Sequence, residues 1–111
     1  MANPAILPFT TRTATGDGLE VRFPLHPETV STAHTAELLT RTLDTVTHAV
    51  TGEQAYANGD VLQSLAMALA LRATMIHAPP ELTARLAREL LDAALEATHA
   101  ASSGQAPGGR A

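Results

Sequence analysis

Apolar and polar residues alternate with two different periods along this 111-residue chain. From Leu19 the period is two. Leu19, Val21 and Phe23 fall on one side and Glu20 and Arg22 on the other, the pattern of a half-buried strand. Threonines precede it, then Gly16-Asp17-Gly18, residues that accept the positive φ angles of a hairpin turn. The pattern predicts a strand over 19–23 and places its hairpin partner in the segment before it. The final residues, 102–111, are rich in glycine, serine and proline and show no apolar period, so they read as a disordered tail. The chain therefore divides into an N-terminal arm over 1–18, a strand plus helices over 19–101, and a tail over 102–111.

From Pro27 onward the period lengthens to that of a helix. A first helix is expected from Pro27, a residue suited to a first helical position, to about Thr51, with Gly52 as its stop. Its apolar face is Thr32, Ala36, Leu39, Leu43, Val46 and Val50. Threonine is frequent there and lowers helix propensity, so this helix needs packing to hold it. A second helix is expected from Asp60, as cap with Gln63 completing a capping box, to about His77. Pro79-Pro80 then forces a stop, and a third helix opens at Pro80 and continues to about Ala101. At 1.5 Å per residue the three would be about 37, 27 and 33 Å long, similar enough to lie side by side as an antiparallel three-helix bundle. The fold class is thus mainly α, with a short N-terminal β-strand or hairpin.

The second helix carries the most information. Leu62, Leu65, Leu69 and Ile76 make one stripe, while Ser64, Ala68, Leu71 and Met75 make another. A helix that is apolar nearly all round must be covered on most sides. Two sibling helices can cover one broad face, which leaves the second stripe for a second subunit. In the third helix Leu82, Leu86, Leu90, Ala93 and Ala97 form a stripe. Ala84, Ala87, Leu91 and Leu95 extend it around the side, and the polar arc holds the expected four-residue pairs Arg85–Glu89 and Arg88–Asp92. The expected contact residues are Leu65, Ala68, Leu71, Met75, Leu91 and Leu95, joined by Val21 and Phe23 of the strand. The expected assembly is a homodimer, because symmetric dimers are the commonest soluble assemblies.

Composition narrows the function classes. The chain holds no cysteine, which removes disulfides, thiolate metal sites and cysteine nucleophiles together. The start lacks the basic and apolar regions of a signal peptide, and the apolar run 61–76 is too short to span a bilayer. A cytoplasmic location follows as an expectation. All seven basic residues are arginine and the formal net charge is −4. The absence of lysine together with abundant alanine fits a GC-rich bacterial genome.

The stretch Glu20-Val-Arg-Phe-Pro24 before a helix start resembles the opening of the ribbon-helix-helix repressors. That resemblance implies a β-strand DNA-binding regulator whose outward strand residues, Glu20 and Arg22, read bases. It covers about ten residues, and the family's short first helix and turn are not matched by the long first helix expected here. An acidic chain with scattered arginines also lacks the phosphate-neutralising charge on which DNA affinity largely depends, so nucleic acid is not expected as a partner. A metal or small-ligand binding bundle is the other alternative. Glu96 and His99 have the Glu-x-x-His spacing of carboxylate-bridged metal bundles, and Asp44 and His48 lie one turn apart, but Glu96 and His99 fall on the polar arc. No metal, cofactor or catalytic residue is assigned, since phosphate loops and nucleophile elbows are absent from the sequence. Tyr56, in the loop between the first two helices, reads as a packing plug. What remains is a small bacterial interaction protein: an accessory subunit, adaptor or regulator that binds itself and another protein.

Overall fold

The computed structural model describes residues 5–12, 18–52 and 56–104, with side chains to residue 101. The protein is mainly helical with one two-stranded antiparallel sheet. Strand β1 is Ile6–Arg12 and β2 is Gly18–Pro24; helix α1 is Thr32–Thr51, α2 is Asn58–Thr74 and α3 is Pro80–Gly104. These residues fall into two compact units, one drawn from 1–32 and 89–111, the other from 33–88. The boundary between them falls within α3. Most of the expected tail, 102–111, and the expected turn residues Gly16 and Asp17 lie outside the described residues.

The expected strand is present, and its partner takes in Thr10 and Thr11 of the threonine-rich segment but begins further upstream, at Ile6. Leu7 pairs with Phe23, Phe9 with Val21 and Thr11 with Leu19. Directly paired residues share a face, so these six form one side of the ribbon. Burial follows the same alternation: Leu7 and Val21 are buried, Phe9, Thr11, Leu19 and Phe23 half-buried, and every residue between them exposed. With Val21 only 2% exposed, the inner face of the hairpin is the best-covered apolar surface among the described residues. A two-stranded ribbon cannot cover its own face; the second half of α3 belongs to the same compact unit.

The register also fixes which backbone groups face outward. The Leu25 N–H donates to the Ala5 carbonyl at 2.8 Å, in step with the Ile6–Pro24 pairing. Odd-numbered residues of the ladder therefore bond across it, and even-numbered residues turn their N–H and C=O groups to the outer edges. Pro8 and Pro24 occupy even positions, where a missing N–H costs the ladder nothing.

The helices begin and end differently from expectation. Pro27 does not open α1. The Glu28 N–H bonds the Nδ1 of His26 at 3.1 Å and the Thr29 N–H bonds the His26 carbonyl at 3.0 Å, so the chain makes a turn around Pro27 instead. The helix starts at Thr32, immediately after Ser31, a residue type favoured ahead of a first turn. Its threonines satisfy their own hydroxyls: Thr40, Thr42, Thr45 and Thr51 each donate a hydroxyl hydrogen to the carbonyl four residues earlier, a bond that does not itself strengthen the helix. Asp60 does not cap α2. That helix begins two residues earlier, behind Ala57, with no side-chain cap, and Asp60 lies in its first turn, where a carboxylate favours the positive end of the dipole. Nor does α2 reach His77. Met75 and Ile76 bond back to the carbonyls of Arg72 and Ala73, three residues earlier, and the Thr74 hydroxyl takes the Leu71 carbonyl at 2.7 Å. This tightened last turn ends the helix before Pro79 and Pro80. The third helix opens at Pro80, as expected. The recorded ion pair is Arg41–Glu37 at 2.7 Å; Arg85–Glu89 and Arg88–Asp92 do not close.

Candidate interaction surface

Each helix shows which of its faces is covered. On α1, Ala36, Leu39, Leu43, Val46, Ala49 and Val50 are half-buried, which is the expected face except at the exposed Thr32. On α3 cover is found before and after the exposed stretch 88–92. Thr83 is buried and Ala84, Leu86, Ala87, Ala93, Ala94, Ala97 and Thr98 are half-buried, while Leu82, Leu90, Leu91 and Leu95 are exposed. The expected leucine stripe is therefore only partly covered. The Thr83 hydroxyl donates to the Pro80 carbonyl at 3.2 Å, satisfying its polar atom where it is buried.

On α2 no residue is buried. The expectation that sibling helices cover one stripe fails, since both stripes are open. Leu65 and Leu69 are 37% and 38% exposed, and Leu62, Leu71 and Met75 reach 60% or more. Met67, also exposed, falls on neither expected stripe. The near-continuous apolar circumference of this helix is thus exposed in the structure.

Part of it is concave. Val46 and Ala49 of α1, Tyr56, and Val61, Leu65 and Ala68 of α2 line a cleft of about 370 Å³, together with the polar residues Thr45, Asp60 and Ser64, which give it little of its surface. Tyr56 is held there through its backbone N–H, which donates to the Ala49 carbonyl at 3.2 Å. The tyrosine read as a plug is thus an exposed wall of this cleft. The lining is almost wholly apolar, and its size is that of a site for an apolar side chain or small ligand.

The expected contact residues are distributed as follows. Leu65 and Ala68 meet in the cleft; Leu71 and Met75 follow on α2, where the Arg72 guanidinium donates to the Met75 sulfur at 3.3 Å. Leu91 and Leu95 are exposed on α3 in the other unit. Val21 is buried and Phe23 half-buried on the inner face of the hairpin, so Val21 serves the core of the ribbon. Glu96 and His99 are exposed on α3. His48 directs Nδ1 at the Asp44 backbone carbonyl, 2.9 Å away, which uses that nitrogen as a donor and not as a ligand. Among the described residues no three histidine, aspartate or glutamate side chains gather, and no helix is long and apolar enough to cross a membrane. Compared with known proteins, the chain matches no family model, no curated protein and no solved structure.

Proposed function

We propose that this chain is a small interaction protein that works by protein–protein binding, and that its first partner is a second copy of itself, seated on α2 and the exposed leucines of α3. The observation that carries this is the open state of α2: Leu62, Leu65, Met67, Leu69 and Leu71 lie exposed on it, and Met75 and Ile76 lie exposed just past its end. Monomeric proteins rarely leave contiguous apolar patches beyond a few hundred Å². Leu62, Leu65 and Leu69 lie on one face and Met67 and Leu71 on another, so apolar surface is open on more than one side. In the assembled protein the cleft beside Tyr56 receives an apolar side chain of the partner. An accessory, adaptor or regulatory role in a bacterial cytoplasm fits such a chain, whose surface chemistry is apolar contact.

Sedimentation of the full chain at tens of micromolar tests this reading. The wild type is expected to run as a dimer and Leu71→Glu as a monomer with unchanged helix content by circular dichroism. A wild type that is monomeric across that range overturns it.

A further inference from the structure

We infer that the outer edge of β2 is a second, separate self-association seam, on which β2 of another copy pairs antiparallel about Val21, with Glu20 of each chain opposite Arg22 of the other. This does not rest on the helical contact proposed above.

The two edges of the hairpin differ. Along β1 the outward positions are Ile6, Pro8, Thr10 and Arg12, so Pro8 breaks the row of donors in its middle. A proline at an outward position is a recurrent way to protect an edge from strand addition. Along β2 the outward positions are Gly18, Glu20, Arg22 and Pro24, and the donors of the first three run without interruption. Among the described residues, Gly18, Glu20 and Arg22 make no hydrogen bond away from the ladder. A third strand on this edge would also strengthen a ribbon that, with two strands, is marginal.

Charge selects the occupant and the register. In a symmetric antiparallel pairing through the outward groups, three registers centre on this segment. One opposes Glu20 with Glu20 and another Arg22 with Arg22; like charges directly opposite are destabilising. The third, centred on Val21, opposes Glu20 with the mate's Arg22 twice over. Each exchanges both backbone bonds with its opposite, and Gly18 donates to the mate's Pro24 carbonyl. On the inner face the same register sets Val21 against Val21 and Leu19 against Phe23, two side chains that the single chain leaves half-buried. The strand is thus complementary to its own reverse, on both faces at once. Because the seam is narrow, it belongs with the weak, small interfaces, and it acts at higher concentration than the helical contact. The two seams lie in one closed dimer only if they share its twofold axis; otherwise they build larger assemblies.

The test uses the full chain carrying Leu71→Glu, so that the helical contact is out of the measurement, at several hundred micromolar. Isotope-filtered NMR on a mixture of labelled and unlabelled chains is expected to show an Hα–Hα contact between Val21 and Val21 of the mate, as a non-hydrogen-bonded pair requires. Glu20→Arg and Arg22→Glu should each weaken pairing roughly tenfold to thirtyfold, since two attractive pairs become repulsive. Neither swap breaks a pair within the hairpin, where Glu20 faces Thr10 and Arg22 faces Pro8. An equimolar mixture of the two swapped chains should recover the starting affinity, because arginines then face glutamates at every position. Absence of the Val21 contact, its replacement by another register or segment, or a mixture no tighter than its components overturns the inference.

Discussion

Truncating one buried and one exposed aliphatic side chain separates the part of this fold that holds itself from the part that waits for a partner. Val21 is 2% exposed at the centre of the hairpin, facing Phe9 across the ladder. Val21→Ala removes two carbons at about 0.8 kcal/mol each, and the cavity left behind raises the loss to about 2 kcal/mol. Leu71 is 60% exposed. Leu71→Ala removes three carbons, about 2.4 kcal/mol if fully buried, but the covered remainder limits the loss within one chain to about 1 kcal/mol. The exposed fraction is what a second copy would cover: about 1.4 kcal/mol per chain, so about 3 kcal/mol across a twofold contact, or roughly 100-fold in dissociation constant. Both figures are upper bounds, because an unfolded chain already buries some of this area. Urea denaturation at several protein concentrations reads the two effects apart, since a folded dimer gains stability with concentration and a monomer does not. Val21→Ala is expected to lower the midpoint at every concentration and keep the concentration dependence. Leu71→Ala is expected to lose the dependence and change little at the dilute limit. If Leu71→Ala costs as much as Val21→Ala at high dilution, α2 is packed within its own chain and the argument from exposure fails.

Two further outcomes follow from the same geometry. Pro8→Thr restores an outward N–H to β1 without touching a ladder bond, so stability should hold within about 0.5 kcal/mol while species larger than the wild-type assembly appear by light scattering; an unchanged size distribution would show that proline is not what protects that edge. Thr83→Val keeps the volume of a side chain that is 6% exposed and deletes its hydroxyl donation to Pro80. A loss of about 1 kcal/mol by denaturant midpoint is expected, and a neutral result would mean that this hydroxyl is satisfied no better folded than unfolded.

The sequence alone determined the faces. Leu19, Val21 and Phe23 opposite Glu20 and Arg22, and the α1 stripe Ala36, Leu39, Leu43, Val46 and Val50, came directly from periodicity, because a regular backbone turns every second residue of a strand, and every third or fourth of a helix, to one side. Periodicity says which residues share a side; it is silent about what lies against that side. The position of β1 at Ile6–Arg12 was therefore not legible: Pro8 argues against a strand until the register shows its nitrogen turned away from the ladder. The start of α1 depended on whether His26 would claim the backbone donors beside Pro27, a local competition that no apolar pattern records. For α3, apolar around most of its circumference, the pattern did not say where cover would be found, and the structure half-buries residues near both ends of the helix while leaving 88–92 exposed. For α2 the pattern demanded cover, and only the tertiary structure showed that no residue of this helix is buried, because periodicity marks an apolar face without supplying what lies against it.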